Sequence, residues 1–351
     1  MSDISYPGVY IEELASTVLS VSGNATAVPV FAHDDAGFVP VTRINSWLDY
    51  VTKRGSQGVS PANLLDVSIR AYFDNGGGYC YLVSTTDLVA KVPELDDVTL
   101  LVAAGKDINL AVDALCDVGK QLFAVLDGPE MAPESFDSTW DVGYTDTAYA
   151  AIYYPWLKAS WTDLAVPPSA AVAGAYCLND RSRGVWKAPA NMALQGGVLP
   201  EYKVTDEFQG QYTDLDPALN MIRQFNNGSP LIWGARTCKG TDDEWRYVSV
   251  RRLFNSAEKD IKDTMHSVMY EPNNQPTWER VRSAINNYLY GLWRQGGLAG
   301  TKPEEAYRVW IGLGETMTQD DINDGKMIVK VGMAAVRPAE FIILQFTQDV
   351  A

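Results

Sequence analysis

Histidine, cysteine, basic side chains and unbroken hydrophobic runs are scarce in this sequence, and each scarcity excludes a class of function. The 351 residues include two histidines, His33 and His266, and neither has a Cys or His partner at metal-ligand spacing. A histidine-based catalytic or metal centre is therefore not expected. Cys80, Cys116, Cys177 and Cys238 lie far apart, in the spacing of neither a disulfide framework nor a metal site, and read as small buried thiols of a reducing compartment. No stretch approaches the roughly 18 uncharged apolar residues of a membrane span, and the acidic opening with Tyr6-Pro7-Gly8 does not read as a secretory leader. The expectation is a soluble protein made in the cytoplasm. With 28 basic against 44 acidic side chains the net charge is −16 and the pI about 4.5. That balance disfavours nucleic acid and anionic membrane as partners, because both attract clustered Lys and Arg.

What is present describes a folded chain: 46% hydrophobic and 21% charged residues. At about 150 residues per domain, the length suggests two domains. The charge is uneven. Residues 1 to 150 hold 7 basic and 21 acidic side chains, net −14, whereas residues 151 to 351 hold 21 and 23, net −2. One reading is a solvent-facing acidic region that keeps an assembly soluble beside a balanced region that forms contacts; the other is simple unevenness.

Local patterns give alternating elements. Val9, Tyr10 and Ile11 follow a turn pair and suggest a short strand. Leu64 to Phe73 suggests a helix stopped by Asn75-Gly76-Gly77-Gly78, and Tyr79 to Val83 a buried strand. Strands are also expected at 98–102, 121–127, 150–156 and 231–236, with a helix from about Asn109 to Gly119. The alternation favours an α/β (α+β) fold. A helix from about Ser256 ends before Pro272, and the clearest helix begins after Pro276-Thr277. Its stripe of Trp278, Val281, Ile285, Tyr288, Leu289, Leu292 and Trp293 is either core or subunit interface. Thr318-Gln319-Asp320-Asp321 has the form of a capping box, and strands are expected at 327–331 and 341–346.

No motif carries chemistry. Asn75-Gly76-Gly77-Gly78 precedes a strand and lacks the Lys-Ser/Thr of a phosphate loop, so it reads as a helix cap. Gly312-Leu313-Gly314 lacks the third glycine of a dinucleotide fingerprint, and Ser256-Ala257-Glu258-Lys259 has no companion motif. Asp180, Arg181, Arg183 and Lys187 lie in a segment rich in small residues and proline; they either hold an anion or fix a loop. No catalytic residue, cofactor or metal is expected.

Several segments, in order and across nearly the whole chain, resemble the tail sheath proteins of contractile phage tails and related injection systems. They are Tyr6 to Glu13, Pro167 to Gly174, Arg183-Gly184-Val185-Trp186-Lys187-Ala188-Pro189-Ala190-Asn191, Glu271-Pro272-Asn273 and Arg337-Pro338-Ala339-Glu340-Phe341-Ile342. Gly291 to Gly300 and Ala334 to Phe341 are most similar to the short major sheath of extracellular injection particles of the antifeeding prophage and Photorhabdus virulence cassette type.

The resemblance implies a structural subunit, not an enzyme, that polymerises as stacked hexameric rings around an inner tube and contracts to drive it through a target envelope. A baseplate or cap component and, less readily, an α/β enzyme are the alternatives. It implies an N-terminal arm and linker at 1–25, a mainly outer acidic α/β domain at 26–165, a mainly inner sheath core at 166–336 and a C-terminal strand at 337–351. Terminal strands are exchanged between subunits, which places Val9, Tyr10 and Ile11 in one arm and Phe341, Ile342, Ile343 and Phe346 in the other. An intramolecular sheet joining the two termini is the competing arrangement. The short helix carrying Gln319, Asp320, Asp321 and Asp324 is the expected tube contact, unless it is only a solvated face. Implied partners are further copies of the chain, the tube protein, baseplate and cap proteins and sheath paralogues, with no nucleic acid and no direct membrane insertion. The particle is expected to be released from the cell.

Overall fold

A computed structural model describes residues 19–341. Its centre is a nine-stranded sheet built from β1 (Pro29–His33), β2 (Val41–Ile44), β3 (Cys80–Ser84), β4 (Leu100–Val102), β5 (Phe123–Asp127), β6 (Ala150–Tyr154), β9 (Met192–Ala193), β11 (Leu219–Gln224) and β12 (Pro230–Ile232). The strand order is β2-β3-β1-β4-β5-β6-β11-β12-β9. The six strands from β3 to β11 run parallel, while β2, β12 and β9 close the edges antiparallel. Strands such as Pro29–His33 and Ala150–Tyr154 are buried along their whole length, as a parallel sheet covered on both faces demands.

One face of the sheet is covered by α2 (Leu64–Asp74) and α5 (Pro168–Arg183), with α1 (Trp47–Arg54) beside them. The other is covered by α3 (Leu88–Lys91), α4 (Asn109–Leu115) and α6 (Asp206–Thr213). A smaller sheet of β7 (Leu157–Ala159), β8 (Thr162–Val166) and β10 (Val198–Pro200) lies alongside. The expected cap after α2 is present: Gly77 N donates to Tyr72 O (3.0 Å) and Gly76 has φ +92°, a left-handed position that suits glycine.

A second compact unit contains α7 (Val248–His266), α8 (Gln275–Arg294), α9 (Pro303–Ala306), the hairpin β13 (Tyr307–Trp310) and β14 (Lys330–Met333), and α10 (Gln319–Asn323). Val281, Ile285 and Leu289 of α8 pack with Val309, Ile311 and Met317 in its core, which settles the α8 stripe chiefly as core. Helix α7 joins the two units: Val248 belongs to the sheet core and Leu253 to the second.

The domain division expected at 165/166 does not coincide with a break. Strands β9, β11 and β12, all beyond it, are part of the main sheet and helix α5 packs on it, so that unit runs to about residue 239. The segment expected to be a loop near Asp180 is the end of α5, a helix buried on nearly every side from Pro168 to Cys177 and therefore without an apolar stripe to read.

Candidate assembly interface

Both ends of the described chain are fastened by arginine–carboxylate pairs, the first buried on both sides and the second with its carboxylate partly exposed. At the first, Arg252 on α7 donates to Asp180 on α5 (Nη2 to Oδ2 2.7 Å, Nη1 to Oδ1 3.2 Å), and both side chains are buried. The guanidinium also donates to Thr26 O (3.0 Å) and lies 4.7 Å from the Tyr176 ring centroid, while Thr26 Oγ1 donates to Asp180 (2.6 Å). Two residues earlier, Asn24 N donates to Asp260 Oδ1 (2.8 Å) and Asn24 Nδ2 to Asp263 Oδ2 (2.9 Å). Tyr288 Oη donates to the other oxygen of Asp260 (2.6 Å). Burial raises the Asp260 pKa against the lowering effect of these donors, and it raises that of Tyr288 too. Leu19 and Val21 pack on the core of the second unit. The N-terminal connector thus leaves from a fixed point where α5, α7 and α8 meet.

The second anchor holds the opposite end. After β14, Ala334 N donates to Ala306 O (2.8 Å), Ala299 N to Ala334 O (2.7 Å), and Val336 N to Gly297 O (3.3 Å). The chain then crosses to the sheet unit, where Glu340 receives a bidentate pair from Arg236: Nε to Oε1 at 3.0 Å and Nη2 to Oε2 at 2.9 Å. Tyr247 Oη donates to the same carboxylate (3.1 Å). Arg236, 4% exposed, also donates from Nη1 to Asp214 Oδ1 and Gly240 O, each 2.8 Å, so its fork is filled. Local pattern gave no sign of the Arg236–Glu340 pair or of Arg252–Asp180, although Glu340 lies in a segment that carries the sheath resemblance.

The candidates from sequence fall in several places. Phe341 is the last described residue, 74% exposed and outside any strand. Val9, Tyr10, Ile11, Ile342, Ile343 and Phe346 lie outside the described residues. The capping box of α10 is present, Asp321 N donating to Thr318 Oγ1 (3.2 Å) and Thr318 N to Asp321 Oδ2 (2.9 Å). Gln319, Asp320 and Asp324 are exposed around it. Asp180, Arg181 and Lys187 do not converge on an anion: Asp180 holds Arg252, Arg181 donates to Gly76 O and Lys187 to Ala188 O. His33 is buried, with Nδ1 accepting from Asp35 N (3.1 Å) and its pKa lowered chiefly by desolvation. No group of three or more metal-ligating side chains occurs among the described residues.

This anchored, two-unit chain has full-length counterparts of known structure. It is 59% identical to the sheath subunit in a structure of a contracted extracellular contractile injection system, the PVC sheath complex, covering 100% of this chain and 99% of that one at a TM-score of 0.91. The chain belongs to the contractile tail sheath protein family. The anti-feeding prophage helical sheath, also contracted, matches at 45% identity over 98% of this chain and 99% of that chain, with a TM-score of 0.81. Residues 240–349 match the phage tail sheath C-terminal domain, a stretch that begins where the nine-stranded sheet unit ends. The tail sheath protein of Enterobacteria phage T4 is 26% identical over 167 residues, 44% of this chain but 25% of that protein's length. This sheath chain therefore matches only a quarter of that relative.

Proposed function

We propose that the chain is the repeating subunit of a contractile sheath, stacked as hexameric rings around an inner tube and joined to neighbouring copies by exchanged terminal strands. The full-length similarity to a contracted sheath subunit carries this reading, and the anchors explain how an arm can carry load. A strand lent to another copy transmits force only if its root is fixed. Here both roots are held by bidentate or multiply bonded arginines. The hairpin β13–β14 is a sheet of two strands among the described residues, and two strands alone are marginal in water. Strands from neighbouring copies, Val9 to Ile11 of one and Phe341 to Phe346 of another, would extend it through backbone hydrogen bonds without a deep pocket.

Contraction then requires two packings of one polymer separated by a barrier, with no nucleotide chemistry. Release of the tube requires a weak sheath-to-tube contact, and exposed polar α10, with Gln319, Asp320, Asp321 and Asp324, has the character of such a surface. In this arrangement the sheet unit faces outward, the second unit faces the tube, and baseplate and cap proteins bind the two ends of the polymer. Synthesis is cytoplasmic and the particle acts outside the cell.

Electron microscopy of the purified protein tests the reading. Tubes or wide contracted cylinders are expected, and removal of residues 1 to 14 should leave a folded monomer that no longer polymerises. Polymer that persists after this deletion would rule out arm exchange; a monomer or small closed oligomer from the intact chain would rule out the sheath reading.

A further inference from the structure

Two surfaces at opposite ends of α8 are complementary. Just before its N-terminus the chain turns through Met269 and Tyr270, which are 61% and 101% exposed. Tyr270 has φ +67°, in the left-handed region that glycine enters freely and an aromatic residue rarely does. The turn is held from behind: Asn273 Nδ2 donates to Lys326 O (2.8 Å) and Trp278 Nε1 donates to Asn273 Oδ1 (2.7 Å). An aromatic ring is therefore presented to solvent on a strained but fastened backbone. Beside it Glu271 is only loosely engaged, 3.7 Å from Arg280.

Near the other end of α8 a cleft of about 670 Å³ opens between α5, α7 and α8, lined by Arg181, Arg183, Trp186, Leu292 and Gln295. The carboxylates on its floor are already committed, Asp180 to Arg252 (2.7 Å) and Asp260 to Tyr288 (2.6 Å). Its exposed rim carries Arg181 and Arg183, so the mouth is basic and one wall is aromatic. Helix α8 has 20 residues, which separates knob and cleft by about 30 Å along one rigid element.

We infer that the Met269–Glu271 knob of one copy docks into this cleft of a second copy, with Tyr270 against Trp186 and Leu292 and Glu271 facing Arg181 and Arg183. The two surfaces differ, so the contact is head-to-tail and repeats from copy to copy, closing into a ring or running on as a filament according to its rotation. It is a side-chain contact distinct from strand exchange, and it rests on the sheath reading only in requiring that the chain polymerises.

Cysteine cross-linking tests it cleanly, because the native Cys80, Cys116, Cys177 and Cys238 are all buried. Polymer carrying both Tyr270→Cys and Gln295→Cys, treated with a short bismaleimide, should give a ladder of multimers on a denaturing gel, and neither single variant should give one longer than a dimer. Charge reversal gives a second readout: Glu271→Arg or Arg183→Glu alone should lower sedimentable polymer by roughly tenfold, and the two together should restore it. Polymer that forms without a ladder and ignores the reversals overturns the knob-and-cleft contact while leaving the sheath reading in place. An unsubstituted chain that forms no polymer overturns both.

Discussion

Replacing Glu340 by Gln tests the idea that the C-terminal arm is anchored locally. The carboxylate receives two guanidinium hydrogen bonds, at 3.0 and 2.9 Å, and one from Tyr247 at 3.1 Å. An amide keeps one acceptor but turns an NH₂ group toward the Arg236 fork, where donor meets donor. Breaking a fully buried ion pair costs about 3–5 kcal/mol, whereas a charge-assisted hydrogen bond contributes about 1.5–3 kcal/mol. The lower range applies, because Glu340 is 21% exposed and Arg236 keeps Asp214 as a counter-charge. A loss of about 2 kcal/mol corresponds to roughly 30-fold more of the detached arm. Hydrogen exchange should show it: the amides of Ala334 and Val336, which bond Ala306 and Gly297, should exchange roughly 30-fold faster, while β1 and β5 keep their protection. Unchanged exchange at 334–336 would refute the anchor. An equal loss of protection in β1 and β5 would show that the pair supports the whole fold, not the arm.

Three further outcomes follow from the same geometry. Asp180→Ala strands the buried Arg252 guanidinium and should cost about 3–5 kcal/mol in urea unfolding, with early exposure of the connector at residues 24–26. At Gly174 an added Cβ would meet Tyr72 O at 2.3 Å and Asn75 Cβ at 2.9 Å, so Gly174→Ala should lower stability by about 2 kcal/mol despite alanine's better helix propensity, a sign that thermal melting reads directly. Asp127 accepts from Gly105 N, Ser169 N and Ser169 Oγ, yet burial lifts its pKa from 3.8 to about 6. Between those values the folded chain holds a proton that the unfolded chain releases, so stability should fall by on the order of 3 kcal/mol as pH rises through that window and stay level above it; Asp127→Asn should flatten that part of the melting profile.

Legibility in the sequence followed the range of the interaction. Strands β3, β5 and β6 are short apolar runs bounded by turn residues, and α8 shows its stripe because one face is buried and the other wet. The Thr318 capping box is legible for the same reason, since its two partners are three residues apart. Helix α5 is not, because a small-residue helix buried all round has no polar face to set a period. Strand β11 carries Asn220, Arg223 and Gln224, which break its apolar run although Asn220 is buried and bonded to Ile152 O and Arg236 O. The anchors were out of reach altogether, since their partners stand 72 and 104 residues apart and only the folded sheet brings them together.

The revised boundary bears on the acidic excess. Divided at residue 239, where the sheet unit ends, the chain carries 15 basic and 28 acidic side chains before the break, net −13, and 13 and 16 after it, net −3. The acidic excess therefore falls on the side of the break that holds the sheet unit. Asp107, Asp113, Asp117, Glu130, Glu134 and Asp137 are exposed, so their charge acts across water rather than within ion pairs. Screening limits its reach to about 8 Å at physiological salt, short enough that only copies packed side by side feel it. A polymer that brings the near-neutral units together and leaves the acidic sheet units outside gains contact where repulsion is least. Packing in the reverse order would crowd like charges toward the axis, which is the physical argument for placing the sheet unit outward and residues 240–351 around the tube.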